Sequence, residues 1–474
     1  MQNKKANQEN YKQYILKYQS AENISISNSH EARARLNMLL DPGSYFLELS
    51  KIAGFELYKD IISAGVITGI GLVTNKPCMI IINNPENKAG CYFPITVKKI
   101  IRALEIAENE RLPCLHLVDS GGAYLPMQAE LFANAEGFGR IFYQQARLKK
   151  LKISQFAAIL GSCTAGGAYV PVMADACTMV KKKGSLFLAG PPLVAAATGE
   201  KLSKEELGGT KVHCYKSAVV DHESNSIAEA ILWLRNQVSR LSFTKQTQNN
   251  YQAPKQKNDI TQFIEHDTRF LPDIEAIIAT IVDGSEFDEF QANIGKSLRT
   301  GWASIYGHKI AIIANDGILS SDAMQKATKF IALAEKCKSP LLFLHNTHGM
   351  QVGARAELSG IASHGARLIE TVANTTLAKY TIMIGCSYGA GNYAMSGRAY
   401  NPNFLFQWPN NKTAVMGAAQ QQHVLKTIGK ELKVNADNHC AIYHSARLND
   451  DGIIMPNATR DILGFILNLS QQDN

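Results

Sequence analysis

The alternation of apolar and polar positions along the chain describes a unit that occurs twice. The first copy, CMIIINNPENKAGCYFPITVKKIIRALEIAENERLPCLHLVDSGGA, runs from Cys78 to Ala123. The second, KIAIIANDGILSSDAMQKATKFIALAEKCKSPLLFLHNTHGM, runs from Lys309 to Met350. Each opens on an apolar run of strand length and passes through a polar turn into a helical stretch. Each returns through a proline to a second apolar run that ends in a glycine-bearing turn. Val97, Ile100, Ile101, Leu104 and Ala107 recur at helical spacing in the first copy, as do Phe330, Ile331 and Ala334 in the second. Each stretch therefore turns one apolar stripe toward a core. A further strand with a glycine-rich turn follows in both: FAAILGSCTAGGAY from Phe156 and YTIMIGCSYGAGNY from Tyr380. Pro113 stands 53 positions before Gly166 and Pro340 stands 49 before Gly389, a spacing close enough to indicate duplication.

The pattern predicts an α/β chain of two homologous domains with short buried strands alternating with helices. A helical segment occupies residues 1–40, and Asp41-Pro42-Gly43 ends it. The first domain spans 41–240 and the second 260–474. Between them, 241–259 is polar, rich in Gln and Asn, and carries Pro254, as a linker does.

Composition narrows the class. With 46% hydrophobic and 19% charged residues in 474, the chain has ample material for cores and is not disordered. No run approaches the roughly 20 apolar residues that span a bilayer, and the N-terminus has neither a signal core nor an Arg-rich amphipathic pattern. The expectation is a protein without membrane contact, cytoplasmic in a bacterium or in the mitochondrial matrix of a eukaryote. The net charge of +8 is spread out, apart from Lys181-Lys182-Lys183. That run reads as a solvated loop or as an attractor for a phosphate-bearing ligand. No nucleic-acid-binding motif accompanies it. The nine cysteines include no Cys-x-x-Cys pair and no zinc spacing, which suggests buried free thiols. His213, Cys214, Asp221 and His222 are the nearest approach to a metal set, and a poor one.

The chemistry lies in the glycine turns. In GSCTAGGAYVP, Thr164, Ala165, Gly166, Gly167 and Ala168 directly follow an apolar strand. In DSGGAYLP, Gly121, Gly122 and Ala123 end the preceding one. Small residues let backbone N–H groups approach a ligand closely. N–H groups from two adjacent turns can hold one developing oxyanion. Tight helix–sheet packing is the alternative reading. The second copy repeats the arrangement with His348-Gly349-Met350 and Tyr388-Gly389-Ala390-Gly391. Two such holes imply two carbonyl reactants and group transfer between them. Side-chain catalysts are poorly represented. Asp119 invites an acid–base reading but suits a turn, Ser120 invites a nucleophile reading, and His116 sits in an apolar strand. There is no Gly-x-Ser-x-Gly elbow, Walker A motif or dinucleotide fingerprint.

These runs, together with FGRIFYQQARLKKLKI, LFLAGPPLVAAATGE, YGAGNYAMSGRAYNPNFLFQWP and SARLNDDGII, resemble the carboxyltransferase (beta) subunits of biotin-dependent acyl-CoA carboxylases. The likeness is strongest to the methylcrotonoyl and geranyl branch and covers the chain from about Leu36 onward. The resemblance implies tandem crotonase-like β-β-α superhelical domains. It implies an acyl-CoA site in the first domain and a biotin site in the second, with each active site shared between subunits of a beta hexamer. Carried over, the thioester oxygen meets the N–H groups of Gly122 and of Gly166 or Gly167. The biotin ureido oxygen meets those of Met350 and of Gly389 or Ala390. Gly121, Ala123, Ala165, Ala168, Gly349, Tyr388 and Gly391 shape the two pockets. Carboxybiotin, carried on a separate biotinylated alpha subunit, is the carboxyl donor and its enolate the base. This chain itself would bind no metal and no ATP. The expected acceptor is 3-methylcrotonoyl-CoA. A geranyl, propionyl or other thioester, a decarboxylase use of the same site, and a non-catalytic paralogue are the alternatives.

The chain departs from the family pattern at several points. HEARARLNMLLDPGS passes over an Arg-Gly-Lys-Leu segment. Asn346 to Met350 replaces Asn-Ile-Thr-Gly-Phe. Met416-Gly417-Ala418-Ala419 replaces Met-Gly-Gly-Glu. Tyr124 and Met127 stand where Asn and Arg are usual, and the stretch after Leu432 is short.

Overall fold

The computed structural model describes residues 2–58, 61, 63–242, 250–256, 259–263, 272–429 and 435–469. Residues 243–249 and 257–258 of the expected linker, and the stretch just after Leu432, lie outside them. The chain divides into two compact units. One holds 20–245 with 446–448, and the other holds 1–19, 246–445 and 449–474. The N-terminal segment forms helices Gln2–Ser27 and His30–Leu39. Residues 446–448 join the first unit, where the Gly54 N–H donates to the Ala446 carbonyl at 2.8 Å.

The first unit is built on eight strands: β1 (Phe46–Leu49), β2 (Val66–Val73), β3 (Lys76–Asn83), β4 (Cys114–Ser120), β5 (Gln155–Thr164), β6 (Ala176–Val180), β7 (Ser185–Phe187) and β8 (His222–Ser224). They lie in the order β1-β2-β3-β4-β5-β6-β8, with β7 on the end of β5. β1 to β3 pair antiparallel, and the remaining pairs are parallel. The continuous apolar runs of β3, β4 and β5 are buried on both faces, as parallel strands require. Helix Pro94–Asn109 follows β3, with Pro94 as its first residue and the Phe93 N–H donating to Thr96 Oγ1 at 3.1 Å. Val97, Ile100, Leu104 and Ala107 are buried on its inner face. Each large one contributes about 1.5–3 kcal/mol of burial. On the sheet's other face Leu36, Leu39, Leu234 and Val238 pack on Ile67, Ile80, Leu115 and Ala158.

The second unit repeats this plan with β9 (Asp288–Glu289), β10 (Leu298–Ile305), β11 (His308–Asn315), β12 (Gly317–Leu319), β13 (Leu341–Met350), β14 (Lys379–Tyr388), β15 (Phe404–Gln407) and β16 (Lys412–Ala414). Their order is β15-β14-β13-β11-β10-β9, with β12 on β13 and β16 on β14. Helix Ser321–Lys336 corresponds to Pro94–Asn109. It is capped by Ser320, whose hydroxyl accepts from the Ala323 N–H, and it buries Met324, Ala327, Phe330, Ile331 and Ala334. The registers match in detail. Ser120 lies opposite Cys163 as Thr347 lies opposite Ser387, and Tyr92 pairs with Ala123 as Leu319 pairs with Met350.

Candidate functional site

In each unit the two glycine turns follow adjacent parallel strands, at the carboxyl ends where open α/β sheets bind ligands. In the first unit they follow β4 and β5. Gly122 has φ of +90°, and a side chain there would come within 2.8 Å of the Thr164 carbonyl oxygen. The second turn must therefore be met by bare backbone. Beyond Thr164, Ala165 takes φ of +53°, and Ala165–Ala168 coil into one 3₁₀ turn. The first N–H groups of such a turn have no partner within it. A side chain at Gly166 would meet the Phe138 ring at 2.8 Å, and one at Gly167 would reach the Ser120 hydroxyl at 3.5 Å and the Tyr92 ring at 3.6 Å. Tyr92 and Phe138 meet edge to face at 4.7 Å and form the floor of the turn.

The second unit places Gly349 (φ +103°) and Gly389 (φ +56°) where the first has Gly122 and Ala165. Matched registers set Ala390 against Gly166 and Gly391 against Gly167. A side chain at Gly391 would meet Thr347 as one at Gly167 meets Ser120. Around Gly349 the space is open, the nearest atom being the Tyr388 carbonyl oxygen at 3.8 Å. Tyr388 and His348 flank it with ring centroids 6.2 Å apart. Burial lowers the His348 pKa, which favours the neutral ring.

The hydrogen bonds sort the candidate donors. The Gly121 N–H donates to the Ala89 carbonyl at 2.9 Å, and the Gly389 N–H donates to the Ala414 carbonyl at 3.0 Å. Both are committed to structure. Gly389 thus shapes its turn without offering a donor, which leaves Ala390 of the expected pair. The Gly122 N–H faces the Ser120 hydroxyl at 3.1 Å and the Gly349 N–H faces Thr347 Oγ1 at 3.2 Å. A neutral hydroxyl two residues back is a weak acceptor, which an anionic oxygen outcompetes. Ser120 is fully buried in this role, which excludes it as a nucleophile. Ala123 is tied to Tyr92 by a bridge. Met350 pairs with Leu319, and its sulfur lies against Gly365. Ala168 is buried at the end of its turn.

Residues of weaker sequence signal fall elsewhere. His116 is buried and its pKa is lowered by burial to about 4, as for a core histidine. His213 bonds the Leu186 carbonyl and the Ser217 hydroxyl, while His222 lies against Trp233. Asp221 accepts from the Cys177 N–H. Among the described residues no three His, Cys, Asp or Glu converge on a metal-sized site. Lys181 pairs with Glu223 at 3.0 Å in the turn between β6 and β7. Tyr124 stacks on Phe93 at 4.2 Å beside the first turn. Ala418 and Ala419 open helix Ala418–Thr427.

Sequence reasoning missed the layer beneath the turns. A side chain at Gly161 would lie 2.5 Å from Asp119 Oδ2, and one at Gly385 would lie 2.8 Å from Asn346 Cγ. Asp119 and Asn346 are thus twins packed against a bare strand position. Asn346 Oδ1 accepts from the Cys386 N–H at 2.7 Å. Asp119 Oδ2 accepts from Arg35 Nη2 at 2.9 Å. The missing side chains at 161 and 385 were the available signal.

Paired backbone turns at the ends of two duplicated parallel sheets define a tandem crotonase-like protein. Comparison with known proteins agrees. The carboxyl transferase domain model matches residues 27–472. The mitochondrial methylcrotonoyl-CoA carboxylase beta chain of Arabidopsis thaliana is 46% identical over 469 residues, covering 92% of this chain and 80% of that protein. The biotin-dependent 3-methylcrotonyl-coenzyme A carboxylase beta1 subunit of Mycobacterium tuberculosis is 44% identical over 92% of this chain and 88% of its own. Among solved structures, the beta subunit of P. aeruginosa geranyl-CoA carboxylase superposes with a TM-score of 0.91 at 34% identity, over 98% of this chain and 94% of that one. The chain belongs to the carboxyl transferase domain family.

Proposed function

We propose that this protein is the carboxyltransferase subunit of a biotin-dependent acyl-CoA carboxylase and that it carboxylates 3-methylcrotonoyl-CoA. The observation that carries the proposal is the pair of equivalent glycine turns, one per unit, at matched register on adjacent parallel strands; in this reading the main-chain donors of each turn hold one oxygen. Two reactants with one carbonyl each, a thioester and a cyclic urea, suit that pairing. The similarity to methylcrotonoyl-CoA carboxylase beta chains supports the acyl group.

In the first unit, spanning 41–240 in this reading, Gly122 and Gly166 or Gly167 receive the thioester oxygen. Charge develops there as the γ-proton leaves, and the N–H groups strengthen their hold as it does. One such donor is worth about 10²–10³ in rate. The second unit, 260–474, presents Ala390 together with the expected Met350 N–H or with Gly349, which the matched registers make the counterpart of Gly122. The open space over Gly349 and the neutral walls of His348 and Tyr388 fit an uncharged ureido ring. Carboxybiotin on a partner chain supplies the carboxyl group and the base. This chain's residues bind, orient and stabilise negative oxygen.

The partner is a biotinylated alpha subunit, and the beta chains assemble as a hexamer in the bacterial cytoplasm or the mitochondrial matrix. No helix among the described residues is long and apolar enough to cross a membrane.

The test is the reverse half-reaction. The protein is incubated with a biotinylated carrier domain and 3-methylglutaconyl-CoA, and release of 3-methylcrotonoyl-CoA is followed by mass. Release that Gly166→Pro abolishes is expected. No release here but release from a geranyl or propionyl counterpart would move the acyl assignment. Silence across all thioesters, without CoA binding, would overturn the catalytic reading.

A further inference from the structure

The twins beneath the two turns differ in charge. Asn346 is a neutral amide, and its oxygen takes the Cys386 N–H at 2.7 Å. Asp119 carries a carboxylate at the same position, three residues before Gly122. It is closely packed, with a sixth of its side chain left exposed. A side chain at Gly161 would collide with it, and one at Gly90 would lie 3.1 Å from its carbonyl carbon. Its N–H points to Asn83 Oδ1 at 3.4 Å. Cys163 of β5, a thiol kept protonated by burial, also faces it.

Three residues of extended strand would span about 10 Å, and because β4 ends at Ser120 and Gly122 turns at φ +90° the Asp119 and Gly122 backbones lie no farther apart than that. An uncompensated carboxylate at that distance would oppose the negative oxygen the turn is built to receive. One cation answers it. Arg35, from helix His30–Leu39, is 2% exposed and donates from Nη2 to Asp119 Oδ2 at 2.9 Å. The same nitrogen meets Glu31, which is half exposed. Among the described residues the Arg35 Nε and Nη1 have no hydrogen-bond partner. Among the described residues the buried guanidinium meets two carboxylates, the half-exposed Glu31 and the partly buried Asp119, and the latter anchors it beneath the turn.

We infer that Arg35 is a positioning residue for the first unit's oxyanion turn. It neutralises Asp119 and fixes the Asp119–Gly122 segment, as the neutral Asn346 does unaided in the second unit. The inference rests on the carboxyltransferase reading for its kinetic consequence and on geometry alone for the structural one.

The experiment uses the intact chain as wild type, R35M, D119N and the double variant R35M/D119N. The double variant reproduces the neutral chemistry of the second unit. Reverse-reaction kcat and KM are measured well below each protein's unfolding midpoint. Exchange of the amides in 119–124 is followed by mass. At an effective dielectric near 20, one charge about 10 Å away corresponds to roughly tenfold in rate. R35M should therefore lose about tenfold in kcat with KM within twofold, and its 119–124 amides should exchange faster. The double variant should recover both to within twofold. D119N should keep its kcat, because Arg35 then remains paired with Glu31 and no uncompensated negative charge is left beneath the turn. A double variant as slow as R35M, or R35M with unchanged exchange, would overturn the inference. If the wild type turns over no thioester, the functional reading fails, and exchange alone decides whether Arg35 holds the turn.

Discussion

Replacing Gly161 by alanine puts the packing beneath the first turn under direct load. The added methyl would stand 2.5 Å from Asp119 Oδ2 and closer still to the rest of the carboxyl group. The carboxylate cannot retreat without lengthening its 2.9 Å bond to the buried Arg35. Overpacking a filled site costs about 1–3 kcal/mol, and breaking a buried ion pair costs about 3–5 kcal/mol. Partial relaxation of both gives an expected loss of about 3 kcal/mol, or about 6–12 °C in Tm for a unit of this size. Denaturant and thermal unfolding of the intact chain measure it. Gly139→Ala is the control, since nothing lies within 4 Å of a side chain there and the residue opens a helix. That variant should stay within about 0.5 kcal/mol of wild type. A Gly161→Ala protein no less stable than the control would refute the argument that the strand is bare to admit Asp119.

Gly385→Ala challenges the neutral twin, and its expected cost is about 2 kcal/mol, because the contact strains one neutral bond to Asn346 rather than an ion pair; parallel unfolding of the two variants checks the ranking. His345 is wholly buried and neither ring nitrogen has a partner among the described residues, so His345→Leu should stabilise the protein by about 1–2 kcal/mol at neutral pH. Burial lowers the folded-state pKa of His345 to about 3. Unfolding therefore takes up a proton, and wild-type stability should fall as pH drops from about 6.5. The His345→Leu variant should lack this part of the acid loss in Tm measured against pH. Asp450 has the opposite sign. Burial raises its pKa to about 7, while the Ser445 hydroxyl and the neighbouring Gln407 amide oppose the rise. The stability it confers is full below about pH 4 and is lost as pH rises through 7. Asp450→Asn should accordingly gain on wild type across that window, and equal pH profiles would refute the assignment.

The duplicated layers were legible because each apolar strand and each helical stripe is a local pattern. The glycine turns were legible because four short motifs stand at matched distances from two prolines. What escaped was set by distant contacts. Gly389 looks as good a donor as Ala390 until β16 arrives, 25 residues on, and its Ala414 carbonyl takes the N–H. Three-residue strands such as β7, β12 and β16 are too short to show a period. Asp119 reads as a turn-former because its partner Arg35 lies 84 residues away. Ser120 reads as a nucleophile because a hydroxyl that accepts from an N–H and one that attacks are the same letter.

A site made from main-chain N–H groups also has no reactive side chain to mark. On the proposed reading, reagents that trap serine, cysteine or lysine nucleophiles would find no catalytic group to modify in either turn, and burial raises the pKa of the neighbouring thiols Cys91, Cys163 and Cys386. Inhibitors must instead imitate the charge and outline of an enolate. Resistance to them would have to arise in the floor and walls, at positions such as Phe138 or Tyr124, because the peptide backbone itself offers mutation nothing to change.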